Sequence, residues 1–146
     1  MSWKVFKKVV NDLKEIEFNT IQTGGDGDSF LNSIYIDALR ELRKNFPKKK
    51  IVLYSNFVLF DKERADCIIE EHLLDEVYTR IDSLDPRISF ECTGLQQAAV
   101  FDRIDYFMEH RRGIKFTINY ASIARYKKNC MDVLGVAPMH WRPALE

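Results

Sequence analysis

The chain has 146 residues, 46% hydrophobic and 30% charged, the size and composition of one globular domain with a real hydrophobic core. Lysine plus arginine (22) equals aspartate plus glutamate (22), which leaves no electrostatic footprint for nucleic acid or an anionic membrane. No apolar run approaches bilayer length, and the start, Met1-Ser2-Trp3-Lys4, lacks the apolar stretch of a signal peptide, so the cytoplasm is the expected compartment.

In chain order, residues 3–15 carry Val5, Phe6, Val9, Val10 and Leu13 on the stripe of an amphipathic helix, continued by Ile16. Residues 18–22 predict a short strand that stops at two glycines. A helix over 29–45 follows, with Ser29 as N-cap, Ile34, Ala38, Leu39 and Leu42 on one face, and Pro47 closing the unit. The second strand is 51–55, a nearly continuous apolar run of the kind found in sheets covered on both faces. A helix from Asp61 to about Leu73 turns Ala65, Ile68, Ile69 and Leu73 inward. The third strand is 76–81. Residues 82–95, rich in Ser, Asp, Pro and Gly, read as a loop. A helix over 96–111 presents Val100, Ile104 and Phe107, Gly113 stops it, and 114–120 is the fourth strand. The helix 122–134 ends at Gly135.

The order α-β-α-β-α-β-α-β-α makes this an α/β chain with a parallel sheet of about four strands in sequential order, flanked by helices. Strands separated by helices run parallel with right-handed crossovers. A doubly wound sheet and a piece of a barrel both meet this description, and both place ligands at the C-terminal ends of the strands. Residues 1–144 read as a single βα-repeat domain, and 145–146 as a vector-derived tail outside the fold.

The three cysteines are widely separated and odd in number, which argues against a disulfide framework or a local metal motif. Cys67 falls in a helix, Cys92 in a loop, and Cys130 in register with Ile123, Tyr126 and Leu134 as a small core residue. His72, His110 and His140 have no carboxylate or thiol at ligand spacing and read as structural.

The predicted strand ends gather four polar stations: the turn 23–28, Ser55-Asn56, Arg80 to Ser83, and Asn119-Tyr120. A small polar ligand requires such a convergent set. Three glycines in four residues, Gly24, Gly25 and Gly27, let the backbone approach a ligand and expose its amides. The carboxylates of Asp26 and Asp28 suit an ammonium group or a cation. The competing reading is a tight strand-to-helix turn with capping aspartates, and the two readings weigh evenly. Asn56 and Asn119 either hydrogen-bond a ligand or satisfy their own turns. Arg80 and Asp82 alternate at a strand end, an arrangement read as placing only one of them on a given side.

With these stations in view, the chain resembles the radical S-adenosylmethionine (radical SAM) family over about residues 3 to 120. Residues 18–31, Phe-Asn-Thr-Ile-Gln-Thr-Gly-Gly-Asp-Gly-Asp-Ser-Phe-Leu, are similar to that family's second strand, its Gly-Gly-acidic motif and the helix after it. Ser55-Asn56-Phe57 resembles the Thr-Asn-Gly that ends the third strand. Residues 75–86, which open on Asp75-Glu76-Val77 and close on Asp85-Pro86, resemble the segment around the fourth strand, with Arg80 where a small Ser is usual. Gly94, Phe101, Ile104 and 113–119 are similar to the helix and strand that follow. The resemblance implies an internal piece of a partial (β/α) barrel. It implies that Gly24, Gly25 and Asp26 approach the amino group of S-adenosylmethionine, with Asn56 and Asp82 along the adenosine side and Asn119 at the next strand end.

The family's reaction also requires a 4Fe–4S cluster on three closely spaced cysteines. Cys67, Cys92 and Cys130 have no such spacing, so the cluster is not expected on this chain and neither is turnover by the chain alone. Two further functions fit the residues. One is a non-catalytic assembly module, homo-oligomeric through the edge strand 18–22. The other is a magnesium-dependent phosphotransfer or hydrolase domain using Asp26, Asp28 and Asp82.

Overall fold

A computed structural model of the chain describes residues 1–25, 27–94 and 97–120. The predicted helix 122–134 with Cys130, His140, the tail 145–146 and the site residue Asp26 lie outside the described residues. The elements are α1 (Trp3–Leu13), β1 (Thr20–Thr23), a 3-10 turn (Ser29–Leu31), α2 (Tyr35–Asn45), β2 (Lys50–Tyr54), α3 (Lys62–Glu70), β3 (Glu76–Ile81), α4 (Pro86–Thr93), α5 (Gln97–His110) and β4 (Lys115–Tyr120). The sheet is wholly parallel in the order β1-β2-β3-β4.

Side chains alternate along each strand, and the register sorts them into two unlike faces. One face carries Ile21, Ile51, Leu53, Val77, Ile81, Phe116 and Ile118, which pack into or against the core with Leu39 and Leu42 of α2, Ile68 of α3, and Ile104 and Phe107 of α5. The inward residues expected for the helices at 61–73 and 96–111 are all buried there. The other face carries Gln22, Lys50, Tyr54, Glu76, Tyr78, Arg80, Lys115 and Asn119 in adjacent registers. Val52 lies on this face, buried but outside the main core cluster. A sequential order with the core on one face is the arrangement of a barrel arc. In the doubly wound alternative the strand order reverses at a switch point.

Two sequence expectations are corrected. Residues 29–45 are not one helix. Asp28, rather than Ser29, is the cap: its Oδ1 accepts the Phe30 N–H at 2.9 Å, and Asn32 Oδ1 accepts the Ile34 N–H at 3.3 Å. These short side chains satisfy backbone donors locally and interrupt the helix before Tyr35. Residues 82–95 are not all loop, because α4 occupies 86–93 and contains Cys92. Asp85 Oδ1 accepts the N–H groups of Arg87 (2.8 Å) and Ile88 (3.3 Å). Pro86 opens the helix, and Gly94 closes it at a left-handed φ of 71°.

The N-terminal edge of the sheet is tied by Arg43 of α2. Its guanidinium meets Asp75 at 2.8 Å and donates to the carbonyls of Lys49, His72 and Leu73. Asp75 Oδ2 also accepts the Ile51 N–H at 2.7 Å. The opposite, C-terminal edge is left to the polar stations. No described helix is long and apolar enough to cross a membrane.

Candidate functional site

The glycine-rich turn sits between two depressions. At Gly24 (φ +81°) an added Cβ would lie 2.3 Å from the Tyr54 carbonyl oxygen and 3.0 Å from Ser29 Oγ. This glycine is therefore required by the close approach of the β1 exit to the end of β2. Gly25 and Gly27 are different. They bridge one another across the turn, a Cβ on Gly27 would meet nothing within 4 Å, and both line a cleft at the C-terminal strand ends.

That cleft has a volume of about 350 Å³, and Tyr54, Ser55, Asn56, Tyr78, Thr79, Arg80 and Asn119 complete its wall. Of the sequence-derived set, Gly25, Asn56 and Asn119 meet in it directly. Asp82 reaches it through Arg80: Asp82 Oδ1 accepts from Arg80 Nε at 2.8 Å and lies 2.7 Å from its Nη2. Arg80 and Asp82 thus lie within contact of one another, as a spacing of two along an extended chain allows, and the expectation of opposite sides is corrected. Asn56 Oδ1 accepts the Val58 N–H at 3.0 Å, so its turn uses the carbonyl oxygen. The amide nitrogen has no hydrogen-bond partner among the described residues.

Sequence reasoning passed over Tyr54 and Tyr78. They occupy matched positions on β2 and β3, and their rings stack at 4.8 Å with an interplanar angle of 6°. The signal was present: Tyr54 lies at the end of a strand already identified, and Tyr78 precedes Arg80 by two residues and so shares its face. Hydrogen bonding to Glu76, with burial second, raises the Tyr78 phenol above its ordinary range.

Glu76 occupies the far end of this face, its side chain fully buried. It pairs with Lys50 of β2 and, at 2.9 Å, with Lys115 of β4. Burial acts to raise its carboxyl, but hydrogen bonds from Lys50, Tyr78 and Lys115 outweigh it and hold the group at about 2. A Lys-Glu-Lys row across three strands thus closes the bottom of the face, and the tyrosines stand between it and the cleft.

Beside the cleft the backbone is strained. Phe57 has φ +61°, a conformation favoured by glycine. Its ring is fully buried against Phe60, Phe107 and Phe116, with centroids 4.6, 5.9 and 5.4 Å away. This packing offsets the backbone cost.

The second depression is an apolar groove of about 990 Å³ along the outer edge of β1, lined by Phe6, Val9, Leu13, Ile16, Ile21 and Leu31, with Gly24 and Asp28 at its polar end. Val9, Ile16 and Leu31 are exposed there. Thr23 Oγ1 donates to the Val52 carbonyl at 2.9 Å and lies 2.7 Å from the Tyr35 hydroxyl, and burial pushes the Tyr35 phenol up. Neither depression brings Asp28 and Asp82 together as a magnesium site would require: Asp28 lines the groove, and Asp82 is paired with Arg80.

The residues of the cleft fit a small organic ligand. The volume is within the ordinary range for ligand sites, and glycine backbone, amides, a guanidinium and aromatic rings all converge on it. They do not fit an iron–sulfur cluster, which needs thiolates converging on one point. No cysteine is among the described residues of the cleft wall, and Cys67 lies on α3. No protein-family model and no curated protein matches this chain.

Proposed function

We propose that this chain binds S-adenosylmethionine at the C-terminal edge of its sheet, as the cofactor-binding part of a radical SAM-type barrel. The observation that carries the reading is the strand-end cleft. Gly25, Asn56 and Asn119 come from the first, second and fourth stations of a sequential parallel sheet and line one cavity, with Arg80 from the third. Phe57 adds support, because it stands where the resemblance has glycine and has the positive φ that glycine favours. Asp26 stands between Gly25 and Gly27 in the sequence, and the resemblance implies that its carboxylate meets the cofactor's ammonium group; Asn56 and Asn119 offer amides to the cofactor's polar atoms. When bound to a cluster, the cofactor supplies radical chemistry; this chain's own residues bind and orient it.

Thermal unfolding with and without S-adenosylmethionine tests the reading. A rise in melting temperature is expected, reduced in Asn56→Ala and lost in Asp26→Ala. No shift at millimolar cofactor would overturn it, and a shift with magnesium ion alone would favour the phosphotransfer or hydrolase reading.

A second reading is favoured by a separate observation. Among the described residues β1 pairs only with β2, and the apolar groove runs along its open side. An unpaired edge beside apolar surface suits strand addition by a second copy of the chain. Light scattering that shows only monomer at high concentration would sink this reading.

A further inference from the structure

We propose that Arg80 is the anion-recognition residue of the strand-end cleft, and that the ligand it selects carries a carboxylate or phosphate beside a planar ring. The inference uses only described side chains and stands independently of the S-adenosylmethionine reading.

Arg80 of β3 is paired in register with Asn119 of β4, and it follows Tyr78 by two residues, so all three share the open face. Its side chain is 63% exposed, yet it is not a loose surface charge. Asp82, 16% exposed, engages its Nε and Nη2 through a single oxygen. That contact fixes one edge of the planar guanidinium and leaves Nη1 without a partner among the described residues. A guanidinium is always charged and offers five donors in a rigid fork. Holding one edge reduces the ordering cost of using the rest.

The surroundings favour an anion. Arg80 is the only charged side chain among the described residues of the cleft wall, and charge-assisted hydrogen bonds to carboxylate or phosphate are the strong ones. The near-parallel rings of Tyr54 and Tyr78 present aromatic surface on which a planar group can continue the stack. Open space at Gly27 leaves room for a ring, and a volume of about 350 Å³ limits the ligand to a small molecule. Two sources supply this chemistry, a nucleoside monophosphate and an aromatic acid.

The full chain is titrated calorimetrically with two charged and neutral pairs, AMP against adenosine and benzoate against benzamide. At least one anion should bind about tenfold more tightly than its neutral counterpart. AMP alone showing the gap identifies phosphate, and benzoate alone identifies carboxylate. Arg80→Met should abolish the gap by weakening anion binding, with circular dichroism showing the fold retained, and Arg80→Lys should keep part of it. Equal affinity for charged and neutral partners, a gap that survives Arg80→Met, or binding of neither pair overturns the proposal. S-adenosylmethionine is titrated in the same series. Its binding without a gap sinks this proposal and leaves the cofactor reading, and a gap without its binding does the reverse.

Discussion

Gly24 and Tyr54 touch through backbone alone: a side-chain carbon on Gly24 would stand 2.3 Å from the Tyr54 carbonyl oxygen. The contact joins the exit of β1 to the end of β2, and it divides the labour of the glycines. Gly24 is a packing residue, whereas Gly25 and Gly27 border the cleft. Gly24→Ala is expected to cost about 3 kcal/mol or more, because a left-handed penalty of about 1–2 kcal/mol adds to a backbone clash. Gly27→Ala, at φ +97° with open space, should bear only the conformational penalty. Urea unfolding of both variants checks the order, and equal losses would contradict the close approach.

Phe57 tests the opposite balance. Its backbone favours glycine, but its ring fills the core beside Phe60 and Phe107. Phe57→Ala empties the ring's space and keeps the strain, for an expected loss of about 3–5 kcal/mol. Phe57→Gly empties the same space and relieves the strain, so it should be more stable than the alanine variant by about 1 kcal/mol. At most positions alanine is the better tolerated of the two. Chemical denaturation that ranks alanine above glycine here would rule out the left-handed geometry.

The sheet was legible because its rules are periodic. The runs at 51–55 and 76–81 and the helical stripes at 61–73 and 96–111 are long enough for burial alone to set element type. Misreadings fell where short side chains control the backbone. Asp28 and Asn32 interrupt a helical stripe that hydrophobic pattern alone extends to Ser29. Asp85-Pro86 and Gly94 carry start and stop signals for α4, but the Ser, Asp, Pro and Gly content of 82–95 suggests a loop when taken as composition. The site was half legible. Strand ends pointed to Gly25, Asn56 and Asn119, while the Tyr54–Tyr78 stack depends on register between strands, which one-dimensional pattern does not contain. The Arg80–Asp82 pair needs no such register, since residues two apart on an extended chain share a side.

Glu76 ties stability to acid pH. Its folded-state carboxyl is depressed to about 2 from an ordinary value of 4.5, with Lys50, Tyr78 and Lys115 outweighing burial. A depressed carboxyl contributes stability that is present above its unfolded value and is lost as pH falls through its folded value. The loss should therefore develop between about pH 4.5 and 2. Glu76→Gln should flatten this segment of the stability profile and cost about 1–3 kcal/mol at neutral pH, less than a fully buried pair because both lysines are largely solvated. Urea midpoints across the acid range measure both effects. An unchanged acid slope in the variant would assign the acid sensitivity to other carboxylates.

Radical cleavage of S-adenosylmethionine requires an electron delivered through a cluster, and a cluster requires thiolates converging on one site. Cys67 is carried by α3, whose neighbours Ile68 and Ile69 are buried in the core on the helix side of the sheet, whereas the cleft opens at the strand ends on the other face. Cys92 belongs to α4, and Cys130 is separated from both in sequence. Binding and turnover should therefore come apart. After anaerobic reconstitution with iron and sulfide, then S-adenosylmethionine and dithionite, chromatography should show no 5′-deoxyadenosine above a protein-free control. The cofactor should still raise the melting temperature, and Cys67→Ser should leave that rise unchanged. Product formation lost in Cys67→Ser would show that this thiol supports a cluster and would overturn the separation of binding from chemistry.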